Sequence, residues 1–433
     1  MTGPESVRVT GRPSPEFESP LEYKSPSEHD LILSYLVEMP LIIVYNPVSG
    51  DRTAAKLTTD TIIPLLATHN VTPDKIAATE YVGHAGELFL SYIDSLAPST
   101  EPITLILVSG DGTLHEIVNA LHSARSKREE SFPSLRIALI PSGTGNALHS
   151  TFFPPSTSPT AEPTLIASLH SFLSATPRLI PLTFAQASIY SSPPAQSSPR
   201  NPPTASSRST SSDVDVLSAV VTSTALHAAI LHDSEALRAS VPGVERFKLA
   251  AEQNATTWYR GSVNLLPPVQ QYDVNTGAFI DLVREDEVGG LKELVGPFAY
   301  FLSTVNVDRL EPLFRITPLQ RTLPPPPDAH TMDVLVVRPL LDKSLEGKHD
   351  EEKREKFKER LWAMFHAAYQ DGAHIKLQYD SPDGKTKGMP VVEYFRVGGW
   401  QWIPVSALNH VTTCSMLMTP SGRRRRESAS PMR

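Results

Sequence analysis

The sequence predicts an α/β domain built on a parallel sheet, followed by a mainly antiparallel β domain, with a site in the cleft between them. Three observations carry this reading. Short apolar runs alternate with helix-length stretches between residues 40 and 175. Three glycine-containing turns follow three of those runs. From residue 179 onward the texture changes to short β-type segments separated by Pro and Gly.

In chain order, the first apolar run is 41–45 (LIIVY), followed by 76–81, 103–108 (ITLILV) and 136–140 (RIALI). Runs of this length, bounded by turn residues, suit strands buried on both faces of a parallel sheet. Helical patterns occupy 54–68, 84–96 and 113–124, with one more at 163–175. Strands alternating with helices of this length argue for a doubly wound domain. The later β-type segments are 214–222, 257–265, 298–303, 332–337, 375–379 and 391–397. One strong helix interrupts them at 351–369, opening on the charge run DEEKREKFKER. That run reads as a solvated face with i,i+4 pairs rather than a binding patch.

Composition limits the function. The chain has 433 residues, 40% hydrophobic and 20% charged, which is enough for two or three globular domains. A formal net charge of -8 argues against a nucleic-acid partner. Cys414 is the one cysteine, so no intramolecular disulfide and no cysteine-based zinc site can form. The first 29 residues lack the apolar core of a secretory signal. No apolar run approaches the ~20 residues of a spanning helix. The expectation is therefore a cytoplasmic protein that meets any membrane peripherally. Pro is abundant and clustered; residues 1–29, 191–212 and 421–433 lack the apolar content to offset ordering entropy. The predicted organisation is a disordered 1–29, an α/β domain over 30–178, a β-rich domain over 179–420 with a disordered insert at 191–212, and a basic tail from 421.

The three turns are Asn46-Pro-Val-Ser-Gly50, Ser109-Gly-Asp-Gly-Thr113 and Pro141-Ser-Gly-Thr-Gly-Asn146. The carboxyl ends of parallel strands share one edge, so these loops converge there. Glycine lets backbone approach a ligand closely, and a helix N-terminus offers free N–H groups and a positive dipole end. Three such loops at one edge suit a polyphosphate. Any one of them alone would be ordinary turn chemistry. There is no G-x-x-x-x-G-K-S/T motif, and no G-x-G-x-x-G with a matching acid. A P-loop and a dinucleotide-binding Rossmann site are therefore not indicated. Asp111, in the middle loop, is the candidate for chemistry. A carboxylate within hydrogen-bond reach of a hydroxyl can take its proton as it attacks. The alternatives for Asp111 are a helix cap or a group orienting magnesium through water.

These loops resemble the catalytic region shared by diacylglycerol kinases and sphingosine kinases. The segments SGDGTLHEIVNAL (109–121) and PSGTGNAL (141–148) are close to the sphingosine kinase version, as are Thr79-Glu80 and His84-Ala-Gly-Glu-Leu88. HDSEALR (232–238), Glu245–Phe247, Tyr259–Gly261, Leu266-Pro267, Met332-Asp-Val and EYFR (393–396) look like later landmarks of that family. The resemblance covers about residues 40–397. It implies transfer of the γ-phosphate of ATP, with Mg²⁺, to a lipid hydroxyl, most closely that of a sphingoid base. It implies that Asp111 is the catalytic base. It also places nucleotide contacts at Asn46, Ser49, Thr79, Ser109, Gly110, Gly112, Gly143, Thr144, Glu235, Arg238 and Arg246, with Glu116 supporting the middle loop. For the arginines physical chemistry agrees, because guanidinium suits bidentate phosphate contact. The sequence names no metal ligand.

Two positions depart from the family pattern. Sphingosine kinases carry an acid four positions before the Glu of their SE pair; here that position is Leu231. Asp233 is the nearby substitute, so Asp111 and Asp233 are the candidates for the lipid headgroup. The family's late Asp-Gly-Glu is replaced by a stretch beginning Trp400-Gln-Trp-Ile. Ceramide kinase, diacylglycerol kinase and a catalytically inactive lipid- or nucleotide-binding protein therefore stay open. The basic run Arg423, Arg424, Arg425 and Arg426 predicts weak attraction to an anionic membrane presenting the lipid, at about 1 kcal/mol per residue. Ser428 beside it is a candidate phosphorylation site. Deleting residues 191–212 is expected to leave the melting temperature within about 2 °C of the parent in a thermal melt, since long surface insertions add little closure entropy.

Overall fold

The computed structural model describes residues 39–97, 101–125, 133–155, 164–174, 176–190, 214–241, 243–284, 290–380, 388–405 and 413–419. The expectations for 1–29, the insert at 191–212, Arg423–Arg426 and Ser428 lie outside them.

The first unit is a parallel sheet in the order β2-β1-β3-β4. Its strands are β1 (Leu41–Tyr45), β2 (Lys75–Ala78), β3 (Ile103–Ser109) and β4 (Leu135–Pro141). The inner strands β1 and β3 are buried almost throughout, which is why their sequences read as unbroken apolar runs. One face is covered by α1 (Ala54–Leu57), a π turn (Thr58–Ile62), α2 (Ile63–Thr68) and α6 (Ala167–Phe172). The other face carries α3 (His84–Ser95) and α4 (Asp111–Arg125). The short α5 (Ala147–Phe152) follows β4. The doubly wound expectation holds. The predicted strand at 76–81 stops at Ala78, and the predicted helix at 163–175 is a 3-10 turn leading into the shorter α6.

The second unit is antiparallel, in the order β6-β5-β14-β13-β12-β11-β7. In chain order these are β5 (Phe184–Tyr190), β6 (Val214–Ser218), β7 (Val221–Thr224), β8 (Gly261–Asp273), β9 (Ala278–Val283), β10 (Lys292–Val295), β11 (Tyr300–Thr304), β12 (Met332–Val337), β13 (Glu393–Pro404) and β14 (Thr413–Thr419). The long β13 also pairs β8, which carries β9 and β10. This folds the sheet over an aromatic layer in which Trp400 meets Phe301 at 5.0 Å and Trp402 meets Phe298 at 5.0 Å.

Three predictions for this unit are corrected. The segment at 214–222 is two strands, β6 and β7, separated by a turn. The segment at 375–379 is not a strand; it is a 3-10 turn (Ala373–Lys376) with a single bridge from Gln378 to Pro390. Gly372, at φ 77°, turns the chain there, and buried His374 bonds the Ile316 carbonyl at 2.9 Å. The predicted helix is present as Asp350–Tyr369, but two others flank the sheet that were not expected, α7 (Ala225–Leu237) and α8 (Glu245–Asn254). α7 is Ala- and Leu-rich and apolar almost all round, which blurs its period.

The two units share a core. Val307 and Leu310, from the segment after β11, pack in the same apolar cluster as α3 and α4. On α4, Asn119 treats β6 as a partner strand: its Nδ2 donates to the Leu217 carbonyl at 2.9 Å and its Oδ1 accepts from Leu217 N at 2.8 Å.

In the β unit a buried charge holds three strands and a loop. Asp333 on β12 accepts from Arg396 Nε at 2.8 Å and Nη2 at 3.1 Å, and from the Tyr394 hydroxyl. Arg396 also donates to the Leu323 carbonyl at 2.8 Å and lies 4.4 Å over the Phe279 ring. Removing one partner leaves an uncompensated buried charge. Asp333→Ala is expected to cost about 3–5 kcal/mol in urea unfolding followed by tryptophan fluorescence; a loss under ~1 kcal/mol would show that the pair is not buried as described.

Candidate active site

The three glycine turns meet as expected, and they meet backbone to backbone. A Cβ on Gly143 would stand 2.5 Å from the Gly110 Cα, and one on Gly50 would stand 2.4 Å from the Ser142 carbonyl oxygen. Real Cβ atoms do not tolerate such distances, so these positions must be glycine for the loops to touch. Gly50 also sits at φ 47°. Asn146, left-handed at φ 54°, clamps its own turn: Oδ1 accepts from Gly143 N at 2.9 Å and Nδ2 donates to Gly143 O at 2.6 Å.

Around this contact the polar side chains bond to each other. Ser109 Oγ and Thr113 Oγ1 are 2.5 Å apart, and Asn46 Nδ2 reaches Thr113 Oγ1 at 3.4 Å. Ser49 and Thr79 are nearly buried beside the loops, and Thr79 N donates to the Tyr45 carbonyl. Thr144 and Glu116 are half-buried. Gly112 differs from the other glycines. It lies exposed in the first turn of α4, and a Cβ there would meet nothing within 4 Å. Its missing side chain leaves open space beside a helix N-terminus, which suits an anion.

Asp111 is the first residue of α4, and its carboxylate points onto the start of α5. It accepts from Ala147 N at 2.6 Å and from Leu148 N at 3.3 Å. The helix-cap alternative is thus realised. A carboxylate offers about four lone-pair sites, so these backbone amides leave room for a further donor. Burial raises the carboxyl pKa, while bonds from the backbone amides of Ala147, Leu148 and Asp111 itself act in the opposite direction. A carboxylate made more basic in this way is a better proton acceptor.

The other predicted residues lie on α7 and α8. Arg238 grips Glu235 through two hydrogen bonds, Nε to Oε2 at 2.8 Å and Nη2 to Oε1 at 2.6 Å. Arg246 is only 5% exposed; its Nη1 donates to Gly243 O at 3.3 Å, and its Nε has no partner among the described residues. Burial first, and then the charge of Arg238, lower its pKa. A buried guanidinium with an unpaired N–H is where an anion would be satisfied. The segment 308–315 links this pair of helices to the loops. Lys248 of α8 is near enough to Glu311 to lower the pKa of its carboxyl, although burial raises it overall. A Cβ on Gly145 would meet the Leu310 carbonyl at 2.9 Å.

Asp233 is committed elsewhere. Its carboxylate accepts from Asn254 Nδ2 at 2.7 Å and lies 2.8 Å from His232 Nδ1, tying α7 to α8. Leu231 is 42% exposed. Trp400 and Trp402, in the stretch that replaces the family's late acid, are buried in the aromatic layer. Among the described residues no group of three or more His, Cys, Asp or Glu could hold a metal ion.

Sequence reading missed three parts of this arrangement. Asn146 was quoted only within a motif, and its left-handed turn is a known use of Asn after Gly. Ser142 Oγ is buried in the third loop without a partner. Asp308 anchors the linking segment by accepting from Arg309 Nε and Arg315 Nε, both at 2.8 Å, and from Thr151 of α5 at 3.2 Å. Only the adjacent acid and base of Asp308-Arg309 hinted at that.

With this geometry in place, comparison with known proteins is informative. Residues 40–171 match the diacylglycerol kinase catalytic domain. The α/β unit is similar to that domain over this span. The matched span holds all three glycine turns and Asp111, so the resemblance read from the sequence is borne out. Sphingoid long chain base kinase 5 of Saccharomyces cerevisiae is 32% identical over 109 residues, 25% of this chain and 15% of that protein. Sphingosine kinase 1 of Arabidopsis thaliana is 30% identical over 122 residues, 28% of this chain and 23% of that protein. The matched stretches thus span less than a quarter of either relative. A crystal structure of a diacylglycerol kinase from Bacillus anthracis superposes with a TM-score of 0.43 at 14% identity, covering 87% of this chain and 94% of that one.

The glycines divide into two groups by what surrounds them. Gly143→Ala is expected to lower the melting temperature, because backbone must move. Gly112→Ala is expected to leave the melt unchanged and to weaken ATP binding by about tenfold or more in calorimetry, the loss of roughly one charge-assisted contact. Unchanged ATP affinity in Gly112→Ala would refute the phosphate cradle.

Proposed function

We propose that this chain is an ATP-dependent lipid kinase that phosphorylates the hydroxyl of a sphingoid base. The observation that carries the proposal is the Gly110–Gly143 contact, which brings the second and third turns together and seats Asp111 against the start of α5, beside the open face at Gly112. The names of the two relatives, a sphingoid long chain base kinase and a sphingosine kinase, support the choice of lipid. The enzyme would meet its lipid at a membrane surface, and the basic run at 423–426 would assist there. Among the described residues no helix is long and apolar enough to cross a membrane.

In this reading the nucleotide phosphates lie over the first turn of α4, with Arg238 and Arg246 on the opposite side. The lipid oxygen attacks the γ-phosphorus and forms the new P–O bond. The bond from that phosphorus to the β,γ-bridging oxygen breaks, and ADP leaves. The hydroxyl proton passes to a free lone pair on Asp111. The fixed guanidinium charges favour the charge spread over the transferring phosphoryl group. Mg²⁺, bound mainly by the phosphates and water, would neutralise phosphate charge.

A binding-only protein is the second reading. It is favoured by the aromatic residues that stand where the family's late acid is expected. Labelled ATP with sphingosine, phytosphingosine, ceramide and diacylglycerol separates the readings, and no turnover with any lipid would leave only the second. In the enzyme, Asp111→Asn is expected to lower kcat by about 10²–10⁴-fold while ATP still binds. It should also lower the melting temperature, because the amide NH₂ faces a backbone N–H donor of α5. Because the carboxyl pKa is raised, wild-type activity should fall as pH drops through that raised value, and the variant should lack this acid limb. A variant with the same limb and near-normal kcat would remove Asp111 as the base.

A further inference from the structure

A groove of about 830 Å³ lies away from the glycine loops. Its wall includes the first residues of β3 and β4 and the last turn of α4, from Ile103, Pro133 and His122 to Arg125. These mark the amino edge of the parallel sheet. The glycine turns mark its carboxyl edge. β4 has seven residues, so the two edges are roughly 20 Å apart at about 3.3 Å per residue. The far wall is the segment 177–184, which joins the two units.

The lining is mostly apolar, and aromatic in depth: Phe89, Phe152, Phe172 and Phe184 all contribute. Leu179, also in the wall, is 62% exposed. Its size falls in the range of about 300–1,000 Å³ typical of small-molecule sites. Among the described residues its charges are all of one sign. Arg125, Arg136, Arg178 and His122 line it, and no carboxylate does among the described residues. None of the three guanidiniums has a carboxylate partner among the described residues; Arg136 Nη1 instead lies 3.5 Å from the Met39 sulfur.

We infer that this groove binds a single-chain lipid phosphate monoester, with its alkyl chain along the apolar trough and its phosphate at the arginines. An apolar trough needs an apolar occupant to leave water. Unpaired guanidiniums select an anionic head, and Arg pairs with phosphate in a bidentate way. Several cations with no acid among them suit a dianion better than a monoanion. The same charges exclude a cationic amine, so this is not a second site for a sphingoid base. A concave trough favours one inserted chain over a flat membrane surface. A lipid phosphate is also the class of product that the proposed reaction releases, but binding here does not depend on that reading.

The test uses the full chain and monododecyl phosphate below its micelle concentration, followed by titration calorimetry. One site per chain is expected, with no binding of dodecylamine and weaker binding of dodecanoate. The double variant Arg125→Glu/Arg178→Glu changes two exposed residues far from the glycine loops. It should weaken binding by at least about tenfold, with melting temperature and ATP affinity unchanged. Separately, Leu179→Asp should weaken it through the apolar wall. Binding that is equal in the variants would overturn the site. Equal binding of dodecanoate would overturn the dianion, and equal binding of dodecylamine would overturn the anionic selection. If the chain sediments with phosphatidic acid vesicles but binds no monomeric phosphate, the face is a membrane surface and the inference fails.

Discussion

The rest of the structure depends on one contact without side chains: the backbone of Gly110 lying on that of Gly143. It brings the turn after β3 against the turn after β4. That approach puts the Asp111 carboxylate within 2.6 Å of Ala147 N, so the first residue of one helix satisfies the first amides of the next. Gly50 presses the first turn onto the same place. A methyl group at any of these points would push the loops apart, and Asp111 would lose its partners. The site is therefore set by what is missing from the side chains as much as by what is present.

Electrostatics follow from that geometry. The N-terminus of α4 carries a partial positive charge of about half an elementary unit. Asp111 sits against it as a fixed negative group, and Gly112 leaves the adjoining space open. On the other side, Arg246 is held in a nearly buried position with an unpaired Nε, and Arg238 is oriented by Glu235. Arg238 is paired with Glu235, while Arg246 makes no ion pair among the described residues and carries a cost in desolvation. Such a cost is common where a charged ligand completes the arrangement.

Holding the two sides in register is the work of the segment 308–315. Asp308 collects Arg309, Arg315 and Thr151, and so fastens the β unit to α5. Val307 and Leu310 enter the core of the α/β unit, and Asn119 bonds both backbone groups of Leu217. The junction is thus a packed interface with paired polar groups. The groove at the opposite edge lies against the same connection, along 177–184.

Much of this was legible in the sequence because it is local. The runs LIIVY and ITLILV specify inner parallel strands through their own composition, and the three glycine turns announce close backbone approach at the carboxyl edge through theirs. The sequence by itself determined the doubly wound class, the loops and the identity of Asp111 as the acid among them. It did not disclose α7, whose Ala- and Leu-rich sequence shows only a weak period, nor the short polar α8, nor the turn at 373–376, where apolar residues bury without joining a sheet. Only the tertiary structure decided that Asp111 caps α5, that Asp233 accepts from Asn254, that Arg246 Nε has no partner among the described residues, and that Trp400 and Trp402 fill an aromatic layer. Each of these is a contact between residues far apart in the chain, and the pattern of neighbours along a sequence carries no record of which distant backbone amide or aromatic ring a side chain will meet.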